Sequence, residues 1–312
     1  MPPSTCATPI NNCSRATQPH DRDLREPPVT NNATLLVECP DRKGIVAAIA
    51  AFVLRYDGNI LHADQHQSPE LGLFLCRVQW DLEGFRVDLD KFPTLFAPVA
   101  KEFRMRWRLA LSEPRQRVAV LVSKHDHCLA DLLYRWHEGE LACEIPLILS
   151  NHADAQRQAE FYGIPFHEIT VTGHNKAEAE RKQIELLRGN KIDLVVLARY
   201  MQILSADFIK HFPQRIINIH HSFLPAFAGA KPHQQAFSRG VKLIGATAHY
   251  VTEQLDDGPI IEQDVARISH RDTVEDLINK GRDLEKIVLS RAVRWHIENR
   301  VLICGRKTVV FD

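Results

Sequence analysis

A chain of 312 residues with 45% hydrophobic and 25% charged content has the make-up of a globular protein of one large or two ordinary domains. Thirty-nine basic residues balance 39 acidic ones, so no bulk charge draws the chain to nucleic acid or an anionic membrane. No apolar run approaches the roughly 18 residues that a membrane span needs, and the seven scattered cysteines form neither a Cys-x-x-Cys zinc pair nor a disulfide framework. The expectation is a reduced, cytoplasmic protein with no structural metal.

Residues 1–32, rich in Ser, Thr, Asn and Pro, read as a disordered leader. They lack the apolar core of a secretory signal, and their acids (Asp21, Asp23, Glu26) argue against a mitochondrial presequence. Order begins near Ala33. Thr34 to Cys39 predicts a strand, Pro40 to Gly44 a turn, and Ile45 to Tyr56 a helix with Ile45, Ile49, Phe52 and Val53 at helical spacing. Strands follow over Ile60–Gln67 and Leu71–Trp80, joined by a turn at Ser68-Pro69-Glu70. Asp88 to Phe103 predicts a helix interrupted or bent near Pro93 and Pro98, and Met105 to Leu111 a closing strand. The order βαββαβ over residues 33–111 is that of a ferredoxin-like unit.

This segment resembles an ACT domain, with Asp41-Arg42-Lys43-Gly44-Ile45-Val46 as its first-loop signature. Glycine at a strand-to-helix turn frees backbone amides at a helix N-terminus, which suit a carboxylate. The resemblance implies a homo-oligomer and, at Asp41, Arg42, Gly44 and Ile45, an amino-acid effector such as glycine or methionine. On the residues alone, a domain that only assembles subunits fits as well.

Residues 112–117 form a short polar linker with Pro114, and a second regime fills residues 118–312. Strands are predicted over Val118–Val122, Ile145–Ser150, Leu194–Ala198, Ile216–Ile219, Val241–Val251 and Pro259–Ala266. Helices are predicted over Cys128–His137, Ala153–Tyr162, Asn175–Leu187 and Ala206–Phe212, with a long final one within Ser269–Asn299. Uninterrupted apolar strands alternating with helices predict a doubly wound, mostly parallel α/β sheet.

Chemistry concentrates where one strand breaks into a Pro-punctuated loop, Ile217-Asn218-Ile219-His220-His221-Ser222-Phe223-Leu224-Pro225-Ala226-Phe227. Asn218 and His220 lie two apart, so their side chains leave one face of the strand, at the carboxyl end where open α/β sheets bind ligands. A second strand runs from His249 into the acidic turn Leu255-Asp256-Asp257-Gly258-Pro259. An amide N–H and an imidazole suit the oxyanion of an acyl-transfer intermediate. A carboxylate beside the imidazole orients it and can take a proton. His125-Asp126-His127 is read as a polar loop, since no third ligand follows at regular spacing.

The Asn-x-His string with Ser-x-Leu-Pro, followed by Leu-Asp-x-Gly-Pro, resembles the folate-dependent formyltransferase family. The resemblance implies Asn218, His220 and Asp256 as the catalytic residues. It also implies His249 behind them, and Met201, Gln202, Ile203, Leu204, Thr252 and Leu255 at the folate. No separate cofactor is implied, since 10-formyltetrahydrofolate is itself the substrate.

Within the family the acceptor varies. Members acting on a ribonucleotide resemble one another in a Gly/Ser-rich loop after the first strand, which cradles phosphate. Here that loop reads Val122-Ser123-Lys124-His125-Asp126-His127-Cys128, with no glycine. A tRNA acceptor would call for a basic surface and a further RNA-binding domain. Water is the acceptor left. Ser150-Asn151-His152, Ala198 to Ser205 and Ala226-Phe227-x-Gly229-Ala230 resemble the water-using branch, which also carries an ACT domain. The implied activity is hydrolysis of 10-formyltetrahydrofolate to tetrahydrofolate and formate, with formate feeding purine synthesis. One departure stands out: after Lys231-Pro232 the chain reads His233-Gln234-Gln235-Ala236, where the family has Tyr-His-Gln-Ala. Formyl transfer to an amine, or a silent folate- or amino-acid-binding regulator, are the competing readings.

Overall fold

The structure, a computed structural model, describes residues 31–225 and 232–312. Residues 1–30 of the anticipated 1–32 leader and the Ala226-Phe227-x-Gly229-Ala230 string lie outside the described residues, while Asn32, the last residue of that leader, already belongs to the first strand.

The first apolar run forms β1 (Asn32–Pro40), buried at every position but the last. It lies inside a sheet whose two faces are both covered. After it come α1 (Ile45–Arg55), β2 (Asn59–Ser68), β3 (Leu73–Asp81), α2 (Phe92–Phe103) and β4 (Arg106–Leu111). The strands pair antiparallel in the order β2-β3-β1-β4. Gly44, at φ +96°, makes the turn into α1, in a backbone region that penalises any side chain. α2 runs through Pro98 instead of stopping there, with Pro93 in its first turn and a short 3-10 segment (Leu89–Lys91) ahead of it. Burial of Phe92, Phe96, Ala100 and Phe103 on one face outweighs the backbone bond that proline removes.

Residues Ala33, Leu35, Val37 and Cys39 pack beneath α1 and α2. Leu36 points the other way and meets Cys304 and Phe311, where the hairpin β12 (Val301–Cys304) and β13 (Lys307–Val310) covers the opposite face. The sequence reading had no element there.

The second sheet contains β5 (Gln116–Val122), β6 (Cys143–Ser150), β7 (Phe166–Glu168), β8 (Leu194–Ala198), β9 (Ile216–His220), β10 (Leu243–Tyr250) and β11 (Ile260–Arg267). β5 starts two residues before the expected position, taking Gln116 and Arg117 from the anticipated linker. The strand order is β11-β10-β9-β8-β5-β6-β7. The five strands from β9 to β7 are parallel, while β10 and β11 are antiparallel additions at one side. The expected mostly parallel α/β sheet is therefore present. The three-residue β7 was too short to announce itself.

Alternation along each strand divides two cores. Val118, Val120, Val122, Ile217 and Ile219 face α3 (His127–His137) and the 24-residue α8 (Val274–Ile297). Ala119, Leu121, Val195, Leu197 and Ile216 face α5 (Lys176–Gly189) and α6 (Ala206–His211). The remaining helices are α4 (Gln156–Phe161) and α7 (Pro232–Arg239). α8 opens with a capping box between Thr273 and Asp276. Just beyond its far end it meets the first sheet, where Arg77 donates to the carbonyls of Glu298 and Asn299. No helix among the described residues is long and apolar enough to cross a membrane.

Candidate active site

β9 delivers Asn218 and His220 to the carboxyl edge of the parallel sheet, on the face opposite Ile217 and Ile219. Antiparallel pairing sets His249 of β10 directly opposite Asn218, and Asn218 Nδ2 lies 3.2 Å from His249 Nε2. His249 Nδ1 is 2.9 Å from the Tyr250 carbonyl. A carbonyl only accepts, so Nδ1 carries the proton and donates. Nε2 is then left to accept from the Asn218 amide. One amide hydrogen of Asn218 is committed in this way, and the other remains for a ligand.

The turn after β10 brings Asp256 back over this pair. Its backbone sits at φ +53°, in the left-handed region that Asp and Asn tolerate better than most residues. His220 Nδ1 donates to Asp256 Oδ2 at 3.2 Å, while His249 Nε2 lies 3.7 Å from Oδ1, beyond hydrogen-bond reach. The His220 bond, with His249 behind it, holds the Asp256 carboxyl well below the usual carboxylate range. His220 is 6% exposed, and its Nε2 is buried without a partner among the described residues.

Glycine at 258 is a steric necessity. A Cβ there would sit 1.7 Å from the Tyr250 carbonyl oxygen, the same oxygen that His249 engages. Tyr250 N also donates to the Pro259 carbonyl at 2.9 Å. The Leu-Asp-x-Gly-Pro turn and the His249 ring are thus locked to one peptide unit.

A cavity of about 730 Å³ opens in front of these residues. All the expected folate-contacting residues line it: Met201, Gln202, Ile203, Leu204, His249, Thr252 and Leu255, together with Asn218, His220 and Asp256. Met201, Ile203 and Leu255 are 58%, 60% and 65% exposed and form an apolar rim. The segment carrying Met201 is pinned by its backbone N–H to Ser123 Oγ at 2.9 Å. Ser123 in turn donates to Asn151 Oδ1 at 2.6 Å. The Ser150-Asn151-His152 string therefore serves as an anchor for the cavity wall. The loop after His220 is held by Thr247, whose hydroxyl donates to the Ser222 carbonyl and accepts from Leu224 N–H.

The sequence reading missed the opposite arm of the cavity, lined by His125, His127, Arg199, His221, His233 and Glu285. Glu285 of α8 is buried and takes His127 Nε2 at 2.8 Å and Arg199 Nε at 3.3 Å on one oxygen. Burial, with Arg199 and His220 nearby, pushes the His221 imidazole down to about 4. His233 packs against Gly281, where a Cβ would come within 2.3 Å of its Nε2. That explains how the chain seats His233 at the position where it departs from Tyr-His. Donor atoms of His127, Cys128 and Glu285 lie within 4.8 Å of one another, a grouping that the expected His125-Asp126-His127 loop did not contain. Arg199 already counters the Glu285 charge. The sequence signals for this arm were the His125-Asp126-His127 run, the Ala198 to Ser205 string, the His220-His221 doublet and the His233 departure, while nothing pointed to Glu285.

Asp41, Arg42, Gly44 and Ile45 lie apart from this cavity. Arg42 stacks 4.2 Å over the Phe103 ring and pairs with Glu102 at 3.4 Å, and Asp41 accepts from Gln67. Ile45 is buried in the first core, so only its backbone is open to a ligand.

A formyl transferase family profile matches residues 116–293. A formyltetrahydrofolate deformylase of Synechocystis sp. is 56% identical over 279 residues, spanning 89% of this chain and 98% of that one. The crystal structure of a formyltetrahydrofolate deformylase from Pseudomonas syringae pv. tomato superposes with a TM-score of 0.88 at 48% identity, covering 91% of this chain and 95% of that one. A glycinamide ribonucleotide transformylase from Symbiobacterium toebii gives a TM-score of 0.61 at 32% identity, covering 66% of this chain and 98% of that one.

Proposed function

The chain belongs to the formyltetrahydrofolate deformylases of the formyl transferase family, and from that premise we propose that it hydrolyses 10-formyltetrahydrofolate to tetrahydrofolate and formate. The observation that carries the catalytic assignment is the constellation of Asn218, His220, His249 and Asp256 at the head of a cavity with an apolar rim.

In this reading the folate lies along Met201 to Leu204 and against Thr252 and Leu255, with its formyl group at Asn218. Water attacks the formyl carbon and the carbonyl oxygen gains negative charge. The free Asn218 N–H donates to that oxyanion, an interaction worth most in a water-poor, preorganised site. Asp256 fixes the ring of His220 through Nδ1, which leaves Nε2 at the cavity. Nε2 takes the proton from the attacking water and returns it to the folate nitrogen as the C–N bond breaks. The products are the secondary amine, which has gained one hydrogen of the water, and formic acid, which becomes formate by losing its proton to solvent. His249 acts through Asn218 as a positioning residue.

The finer reading assigns residues 33–111 to an ACT-like regulatory and oligomerisation domain, and 118–312, with Gln116 and Arg117 of β5 drawn from the expected 112–117 linker, to catalysis in the cytoplasm. The β4-β1-β3-β2 sheet and Gly44 at the start of α1 support it. An effector such as glycine or methionine would set its carboxylate on the α1 amides beside Gly44 and Ile45, near Asp41 and Arg42, in a homo-oligomer. Formate released here would supply purine synthesis.

The test is incubation of purified protein with 10-formyltetrahydrofolate and no amine acceptor. Tetrahydrofolate and formate should appear in equal amounts at an enzymatic rate. Product only after an amine is added would make the chain a transferase.

A further inference from the structure

A second large cavity, of about 1100 Å³, is walled by β4, the connection into β5, the amino-terminal ends of β6, β8 and β9, and β12. It lies between the two sheets, at the edge of the parallel sheet opposite the catalytic residues, so neither the folate nor the formyl acceptor reaches it.

Its walls are unevenly charged. Arg106 is paired with Glu38, and Arg117 with Glu144, while Asp193 accepts from the Arg117 backbone N–H at 2.9 Å. That accounts for the three acids of the lining. Arg108, Lys191 and Arg215 line the same cavity, and none has a carboxylate within ion-pair distance among the described residues. Arg108 donates to the neutral Asn299 Oδ1 at 2.9 Å. Arg215 donates to the His211 carbonyl at 3.4 Å and lies 5.8 Å from the Phe212 ring centroid. Arg115 has a single carboxylate, the half-exposed Glu113 at 3.4 Å. On the cavity floor Tyr250 Oη and His296 Nδ1 are 2.7 Å apart, and Arg108 and Arg215 both bear on His296, adding to the burial that keeps the ring neutral. Arg108 keeps part of its surface open to solvent, and the crowding around its guanidinium disfavours its charge.

Like charges lining one cleft repel one another, and an anion seated among them relieves that repulsion. Guanidinium forks favour planar or tetrahedral oxyanions, which they grip through two bonds at once. We propose that this cleft binds a small polyanion, a phosphorylated or polycarboxylate metabolite, through Arg108, Lys191 and Arg215. Set against the Asp193 carboxylate, whose hydrogen-bond partner is a backbone N–H, the three cations leave a net charge of two, which fits a ligand of two negative charges. The site stands whether or not the catalysed reaction is hydrolysis.

The test is isothermal titration calorimetry of the full chain with pyrophosphate and, separately, with citrate at about 0.15 M ionic strength. At least one should bind with Kd of about 1 mM or tighter. Pyrophosphate alone would mark a phosphoryl ligand, and citrate alone a polycarboxylate. The double variant Lys191→Gln/Arg215→Gln changes two exposed side chains, and its unfolding midpoint checks that it folds. It should weaken binding about tenfold or more. No heat with either anion at about 10 mM would overturn the proposal, because the cations would then serve only the carboxyl ends of α5 and α6, or a second copy of the chain would fill the cleft. Unchanged binding in the double variant would place the anion elsewhere and overturn it equally.

Discussion

Asn218 and His249 face each other across the β9–β10 ladder, with 3.2 Å between Nδ2 and Nε2. Because His249 Nδ1 is committed to the Tyr250 carbonyl, the tautomer that fixes the Asn218 amide is set by the backbone of the strand itself. Replacing Asn218 by Ala should lower kcat by about 10²–10³-fold, the loss typical of one oxyanion donor. His249→Ala should lower kcat about tenfold with KM little changed, since Asn218 remains but is free to turn. An unchanged kcat for His249→Ala would remove its positioning role.

Asp256→Asn isolates charge from shape, since Asn tolerates the left-handed backbone at φ +53° as well as Asp does. The amide can no longer hold His220 in one tautomer, and kcat should fall about 10³-fold or more while the unfolding midpoint stays close to that of the parent. A variant near full activity would exclude Asp256 from the chemistry.

Gly258→Ala tests the lock between the Asp256 turn and β10. Its Cβ has no room beside the Tyr250 carbonyl, so the turn must shift. Stability should fall by about 1–3 kcal/mol and turnover should fall with it, although residue 258 touches no substrate.

Ser123→Ala removes the acceptor that holds Met201 N–H. With that amide unpaired, the cavity wall loosens by about 1 kcal/mol. KM for the folate should rise severalfold while kcat is preserved, and steady-state kinetics would separate the two.

His221 gives a pH dependence of known sign. Its folded pKa is depressed to about 4 from 6.5, so between those values the unfolded chain binds the extra proton. Stability is full above the unfolded value and declines as pH drops from about 6.5 toward 4. At pH 5 the loss from this residue is on the order of 2 kcal/mol. Thermal unfolding at pH 7 and pH 5 should show a smaller drop in midpoint for His221→Asn than for the parent.

The Asn-x-His pair at 218 and 220, the acidic turn at Asp256 and the strand-helix alternation were all legible in the order of residues. A period of two places both candidate side chains on one strand face, and Gly-Pro after Asp256 makes a turn whatever lies around it. The Met201 to Leu204 wall was legible only through a family resemblance. The short β7, with three residues, was hidden because its existence depends on pairing with β6.

Local patterning therefore determined most of the elements and marked the candidate residues of the site. Tertiary structure alone decided that α8 carries Glu285 back to Arg199 and His127, that β12 and β13 cover the first sheet, and that unpaired arginines meet in a cleft between the sheets. Glu285 lies 158 residues from His127. No periodicity spans such a separation, and only the packing of helix on sheet brings such charges within a few ångströms.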